Sequence, residues 1–328
     1  MSDPCLLIGD IGGTNARFAF AYPDAPGFFN ELILSCADYE TAELAIAAYL
    51  ERSGGQQPTT ICLAVAGPVM DNKVDVINNH WEIDGQQLCS SLSANSVRLL
   101  NDFEAIAYSI PLLVGNDVST IGLVPSLVDG GSEFTLGVLG PGTGLGVGGL
   151  LGRDGRIYPI AGEGSHEGFA PETRLQYKVL KQLRKQHERV STERIISGTG
   201  LENIYWALCR IHGKQDTRIG AAEIFSRVLS KEDPVATEAT QLFYEVLGQV
   251  AGNLAMTLGA WDGIYLAGGI LKRYPDLLKS SDFRSGFENK GRHRQLMEKV
   301  PTSLILHPQP GLLGASYMAR EIHKETAD

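Results

Sequence analysis

Two clusters of glycine, each holding a threonine, are the residues most suited to chemistry in this chain. In the first, Gly9-Asp10-Ile11-Gly12-Gly13-Thr14-Asn15, adjacent glycines separate two apolar runs. A glycine turn leaves backbone N–H groups unblocked, so that successive amides can face a phosphate. Thr14 adds a hydroxyl donor. Asp10 would repel a triphosphate unless a divalent cation lay between them, which makes it the candidate metal ligand. Gly9, Asp10, Ile11, Gly12, Gly13 and Thr14 therefore form the first candidate phosphate-binding group. The stretch lacks the Gly-Lys-Ser/Thr of a Walker loop, and no G-x-G-x-x-G opens a helix after it. The second cluster, Gly140-Pro141-Gly142-Thr143-Gly144-Leu145-Gly146, repeats the chemistry, with Gly142, Thr143 and Gly144 as the candidate turn. Each cluster alone also fits a plain glycine turn; two together could grip a polyphosphate from two sides.

Three further groups carry polar chemistry. Leu100-Asn101-Asp102-Phe103 offers a carboxylate, Asp102, that could take a proton from an attacking hydroxyl while Asn101 holds a neighbouring one. Phosphoryl transfer asks for such a positioned base and little other covalent help. The same pair equally suits a helix cap. Gly162-Glu163-Gly164-Ser165-His166, with Glu193 further on, places two carboxylates and an imidazole on glycine-flanked loops. Carboxylate oxygens accept hydrogen bonds from polyol hydroxyls. Taken singly, Glu193 reads as an exposed helix residue and His166 as a loop histidine. Nothing completes a zinc ligand set around them. Last, Gly268 and Gly269 in Ala267-Gly268-Gly269-Ile270 follow an apolar run, where they could abut a base and ribose or simply turn a strand into a helix.

The elements that must carry these groups follow from periodicity. Cys5–Ile8 and Ala16–Tyr22 predict a hairpin, and Glu31–Ser35 extends its sheet. Apolar positions at Leu44, Ala47, Ala48 and Leu50 predict a helix over Thr41–Arg52. Strands are expected at Thr59–Val65, Val74–Ile77 and Val97–Leu100, then a helix from Phe103 to Ser109 that Pro111 ends. Thr135–Leu139 and Gly146–Leu151 form a second strand-turn-strand, so two similar domains are expected. Pro171–His187 reads as an amphipathic helix whose Lys178, Lys181, Arg184 and Lys185 make a solvated face. Gly248–Trp261 is a buried helix whose small residues let another backbone come close; Gly263–Ala267 is a strand, and a last helix runs from about Leu312 to His323.

Composition narrows the function classes. The 328 residues carry 28 Lys+Arg against 38 Asp+Glu, a net charge of −10, which disfavours nucleic acid or an anionic membrane as partner. Phe134–Gly152 is uncharged, but its glycines break a helix, so no membrane span is expected. The apolar run after Asp3 and Pro4 is too short for a secretory leader. Five cysteines without C-x-x-C spacing predict buried, reduced thiols in a cytoplasmic protein.

In their order along the chain these segments resemble the bacterial-type glucokinase family of the actin/hexokinase/Hsp70-like ATPases. The likeness runs from Gly9 to the C-terminal helix. It includes Glu193 to Gly198, Phe283-Arg284 to Lys290-Gly291-Arg292 and Gly311-Leu312-Leu313-Gly314-Ala315. One departure is Ser165, where many members carry a second glycine. The resemblance implies a two-domain α/β fold of the actin/hexokinase-like (ribonuclease H-like) kind, with a cleft between a small and a large domain. Residues 1–111 plus about 309–328 would form the small domain and 112–308 the large one. It implies transfer of the ATP γ-phosphoryl group to the 6-hydroxyl of glucose, with Asp102 as general base. Asn78, Asn101, Glu163, His166 and Glu193 would bind sugar, and Gly268 and Gly269 would lie on the adenosine side. Asp10 would stand near Mg2+. It further implies a homodimer with glucose and ATP as its small-molecule partners. Related ROK sugar kinases carry a cysteine-rich zinc segment after the histidine; Glu167–Arg189 holds no cysteine. A kinase for another hexose or an amino sugar is the alternative. A sugar-sensing regulator is a more distant one, since only eight residues precede the first glycine cluster and leave no room for a helix-turn-helix.

Overall fold

The computed structural model describes residues 5–125, 133–215 and 218–327. The chain divides into two compact units, Met1–Gly115 with His307–Asp328, and Asn116–Leu306.

The first unit is built on a five-stranded sheet. β1 (Leu6–Ile11) and β2 (Asn15–Ala21) form the hairpin, and β3 (Phe28–Ser35) pairs antiparallel outside β2. β4 (Thr60–Val65) runs parallel to β1. A small hairpin, β5 (Lys73–Asp75) with β6 (Glu82–Asp84), follows. β7 (Ser96–Asn101) then pairs parallel to β4, giving the order β3-β2-β1-β4-β7. β4 is buried at every position, as a central strand covered on both faces should be. β3 is half-exposed along its length and forms the edge. α1 (Ala42–Arg52) is capped by Thr41, whose hydroxyl accepts from the Leu44 N–H, and its Tyr49 packs on the rings of Phe18 and Phe20. α2 (Gly85–Ser91) is capped by Asp84.

α3 (Asp102–Ser109) starts where β7 stops. It packs against the C-terminal helix (Pro310–Ala327) so closely that a Cβ on Gly314 would run into the Ala105 carbonyl. Pro111 does not simply end α3; it opens a 3-10 turn over Ile110–Leu112. The strand expected over Val74–Ile77 is only Lys73–Asp75, and Asn78 lies beyond it with φ 58°.

The second unit repeats the plan. β8 (Val118–Ile121) lies at one edge. β9 (Phe134–Pro141) and β10 (Leu145–Arg153) form the hairpin, with β11 (Arg156–Ala161) outside it. β12 (Gly263–Leu266) runs parallel to β9, and β13 (Thr302–Ile305) parallel to β12, so the order is β11-β10-β9-β12-β13-β8. Both units thus contain three antiparallel strands continued by two parallel ones.

Helices cover this second sheet. α4 is Arg174–Leu183, shorter than Pro171–His187 because Thr173 caps it, and Val179, Leu180 and Leu183 point inward. α5 (Gly198–Ile211) and α6 (Ala221–Ser230) precede α7 (Pro234–Leu258), which extends the expected Gly248–Trp261 helix far toward the N-terminus. Asp233 accepts from the Val235 N–H at 2.9 Å to start α7, and Gly259 at φ +66° ends it. After α8 (Gly269–Arg273) and α9 (Pro275–Lys279), α10 (Phe283–Glu288) is the backbone that the small face of α7 admits. A Cβ on Gly248 would strike the Phe283 carbonyl. Arg284 then ties α10 to the sheet, donating to the Val300 carbonyl at 3.0 Å and the Thr302 hydroxyl at 3.1 Å.

All five cysteines are free thiols; Cys36, Cys62 and Cys209 are buried, whereas Cys5 and Cys89 are half-buried. Among the described residues no helix is long and apolar enough to cross a membrane.

Candidate active site

The residues singled out in the sequence fall into one group on each unit. On the first, the β1–β2 turn is Gly12-Gly13-Thr14, closed by the Gly12 N–H donating to the Asn15 carbonyl at 3.0 Å. Two of its carbonyls are occupied: the Asn79 side-chain amide donates to Gly12 at 3.2 Å and the Cys36 N–H to Thr14 at 2.9 Å. The N–H groups of Gly13 and Thr14 donate to no described residue. A side chain at Gly13 would be crowded, since a Cβ there would stand 3.0 Å from the Asn78 Cβ and 3.1 Å from two carbonyls. Asn78 is exposed and packs against this turn with its own backbone.

Asp10 sits one residue before the end of β1, opposite Arg17 on β2, with 3.8 Å between guanidinium and carboxylate. Burial pushes its pKa up, and Arg17 pulls it part of the way back. Gly311, in the first turn of the C-terminal helix, lies so near that its Cβ would be 3.2 Å from the Asp10 carboxylate. Among the described residues no three His, Cys, Asp or Glu side chains gather as a protein-built metal cage would require. Asp10 thus supplies a single carboxylate, which fits Mg2+, an ion that keeps several waters and takes one or two carboxylates together with substrate phosphates.

Asp102 is the first residue of α3, and its position is set by a capping box. Asn101 Oδ1 accepts from the N–H groups of Phe103 at 2.9 Å and Glu104 at 3.4 Å, and Glu104 Oε2 accepts from the Asn101 N–H at 3.2 Å. Asn101 Nδ2 also donates to the Gly67 carbonyl at 3.0 Å. Asn101 is therefore the helix cap, with one amide hydrogen left over for any ligand. Asp102 is half-buried and accepts from the Phe103 N–H at 2.9 Å. Burial raises the pKa of Glu104, opposed by its bond to the Asn101 amide and by Arg98.

On the second unit the turn is Gly142-Thr143-Gly144, closed by the Gly142 N–H donating to the Gly144 carbonyl at 2.8 Å. The N–H groups of Thr143 and Gly144 donate to no described residue, and Thr143 is exposed, as Thr14 is in the first turn. The Gly142 carbonyl accepts from the Gly198 N–H at 2.9 Å, at the start of α5. Gly268, at φ +100°, backs onto Pro141 so tightly that a Cβ would hit its carbonyl, whereas a Cβ on Gly269 would meet nothing within 4 Å.

Glu163 and His166 flank the short turn Gly164–His166 and are exposed, 3.9 Å apart. Ser165 between them is buried, and its carbonyl accepts from the Glu193 N–H at 3.0 Å. Glu193 is not on a helix. It lies in the loop before α5, half-buried, and its Oε2 accepts from the Leu145 N–H at 3.0 Å. The structure thus brings Glu163, His166, Glu193 and the Gly142–Gly144 turn into one connected group. Two residues escaped sequence reasoning. Arg17 was recoverable, because a hairpin turning at Gly13 sets it opposite Asp10. Glu104 could have been read from Asn-x-x-Glu as the far half of a capping box.

Residues 7–322 match the sequence model of the glucokinase family. A glucokinase from Nitrobacter hamburgensis is 41% identical over 317 residues, covering 96% of this chain and 97% of that protein. Among solved structures, a glucokinase from an Antarctic psychrotroph is similar at a TM-score of 0.88 and 31% identity, over 97% of this chain and 99% of that one. A glucokinase from Balamuthia mandrillaris, solved in complex with glucose, shares the fold at a TM-score of 0.77 and 23% identity, over 97% and 94%.

Proposed function

The chain belongs to the glucokinase family, and on that premise we propose how its residues divide the work of moving the γ-phosphoryl group of ATP onto the 6-hydroxyl of glucose. It is an ATP-dependent hexose kinase. What carries the assignment of roles is the pair of three-residue glycine turns, each with an exposed threonine and two N–H groups that donate to no described residue. Amides left without a protein acceptor are available to phosphate oxygens, whose charge they would stabilise. Gly9–Thr14 takes one side of the polyphosphate and Gly142, Thr143 and Gly144 another, with Gly268 and Gly269 toward the adenosine. Asp10 would hold Mg2+, which when bound neutralises charge on the transferring phosphates.

Asp102 takes the proton of the 6-hydroxyl as that oxygen attacks. The capping box fixes where its backbone stands, so the base is placed by the same contacts that start α3. Glu163, His166 and Glu193 hold sugar hydroxyls, Asn101 contributes its remaining amide hydrogen, and Asn78 shapes the surrounding surface. A site that pairs each hydroxyl rejects an analogue lacking one, because the partner is left unpaired. Five unpaired cysteines support a reducing, cytoplasmic setting.

A coupled assay with ATP, Mg2+ and a panel of glucose, mannose, fructose and glucosamine tests this reading. Glucose is the expected preferred substrate. Glu163→Ala should lower kcat/KM for glucose roughly 10- to 100-fold and narrow the gap to mannose and fructose. Unchanged ratios would remove Glu163 from the sugar site.

A further inference from the structure

Glu193 makes two contacts in opposite directions. Its N–H donates to the Ser165 carbonyl at 3.0 Å, inside the segment that carries Glu163 and His166. Its carboxylate Oε2 accepts from the Leu145 N–H at 3.0 Å, the first amide after the Gly142–Gly144 turn. That oxygen lies 2.6 Å from the position a Cβ on Gly144 would take. Gly144 is therefore the residue that lets the carboxylate reach the turn. Gly142, two positions earlier, would carry a Cβ with nothing inside 4 Å. The two glycines of one turn thus differ in what they must accommodate.

We propose that Glu193 couples sugar binding to nucleotide binding, its carboxylate linking a sugar hydroxyl to the backbone of the phosphate turn. The proposal rests on the reading of Glu193 as a sugar ligand. A carboxylate offers about four acceptor positions over two oxygens. Oε2 spends one on Leu145, and Oε1 remains for a hydroxyl. A sugar seated there restrains the carboxylate, the carboxylate restrains Leu145, and the adjacent Thr143 and Gly144 amides lose freedom they would otherwise lose on meeting phosphate. Each ligand then meets a turn already ordered by the other, and the gain is the same from either side.

Equilibrium titrations of the full chain with glucose and with the non-hydrolysable nucleotide AMPPNP, each alone and each in the presence of the other, test the coupling. Each ligand should tighten the other by roughly fivefold or more, by an equal factor in both directions. Gly144→Ala, which pushes the Glu193 carboxylate aside, should weaken glucose about tenfold with no nucleotide present and abolish the mutual tightening. Should Gly144→Ala not fold, Glu193→Ala decides: its AMPPNP affinity without sugar should fall, although the residue is assigned to sugar. Parent-like glucose binding in Gly144→Ala, or parent-like AMPPNP binding in Glu193→Ala, would overturn the coupling and leave the kinase reading standing. A parent chain that binds AMPPNP but no glucose would overturn the sugar assignment beneath it.

Discussion

The turns Gly12-Gly13-Thr14 and Gly142-Thr143-Gly144 have the same composition in a different order and are held by different means. The first is fixed by uncharged neighbours: Asn79 and Cys36 occupy two of its carbonyls, and Asn78 fills the space that a side chain on Gly13 would need. The second is open around Gly142 and is braced by a carboxylate, Glu193, and by the first amide of α5. Packing sets the geometry of one turn when the chain folds. The other depends on the reach of one side chain, Glu193. The units differ in their acids in the same sense. Asp10 and Glu104 are half-buried with raised pKa values, whereas Glu163 is exposed. On the proposed reading, the base Asp102 stands on the first unit and the carboxylates Glu163 and Glu193 on the second.

The largest effect that separates them is expected at Asp102. Asp102→Asn should lower kcat by about 10²- to 10⁴-fold while glucose affinity, measured by direct titration, stays within a few-fold. Near-parental turnover would take the base away from the first unit and erase the contrast. A middle-sized effect lies in the turns themselves. Gly13→Ala should cost about 1–3 kcal/mol of stability, because its Cβ meets backbone that is already packed. Gly142→Ala should cost less than about 0.5 kcal/mol. Equal shifts in denaturation midpoint would show the two turns to be equally constrained.

The smallest effect concerns pH. A carboxyl whose folded pKa is raised keeps its proton to higher pH in the native state than in the unfolded chain. Between the two pKa values the native state therefore binds more protons, and stability falls as pH rises through that window. Asp10 imposes this cost at neutral pH. Asp10→Asn should accordingly raise Tm by roughly 1–4 °C at pH 7, the gain shrinking as the buffer is taken below the ordinary aspartate range, even as activity is lost. A lower Tm at pH 7 would mean that Arg17 compensates the buried charge in full.

How much of this was legible in the sequence depends on range. Both hairpins could be read, because each is a short apolar run, a glycine turn and a second run within a few residues. The small face at Gly248 and Gly252 correctly announced a close backbone, yet nothing local says that the backbone belongs to Phe283–Glu288. The early turns of α7 carried a local signal that the expected helix from Gly248 left unused: after the Asp233 cap, Val235, Ala239, Leu242, Phe243 and Val246 keep a three- and four-residue apolar spacing and are buried. Asn101 carried a local signal for both of its readings, cap and ligand, and the structure shows the cap. Glu193 was unreadable in a deeper way. Its bond to Leu145 spans 48 residues, and no periodicity distinguishes a carboxylate that will brace a remote turn from one that will face water.

The contact between Gly314 and Ala105 carries a consequence for biosynthesis. Asn116–Leu306 is one uninterrupted stretch and can assemble while translation continues. The helix bearing Asp102 must wait for its backbone partner until Pro310–Ala327 has left the ribosome. The strands of the first unit are thus completed by a helix made only after Asn116–Leu306, so a nascent chain can fold its second sheet before its first is covered.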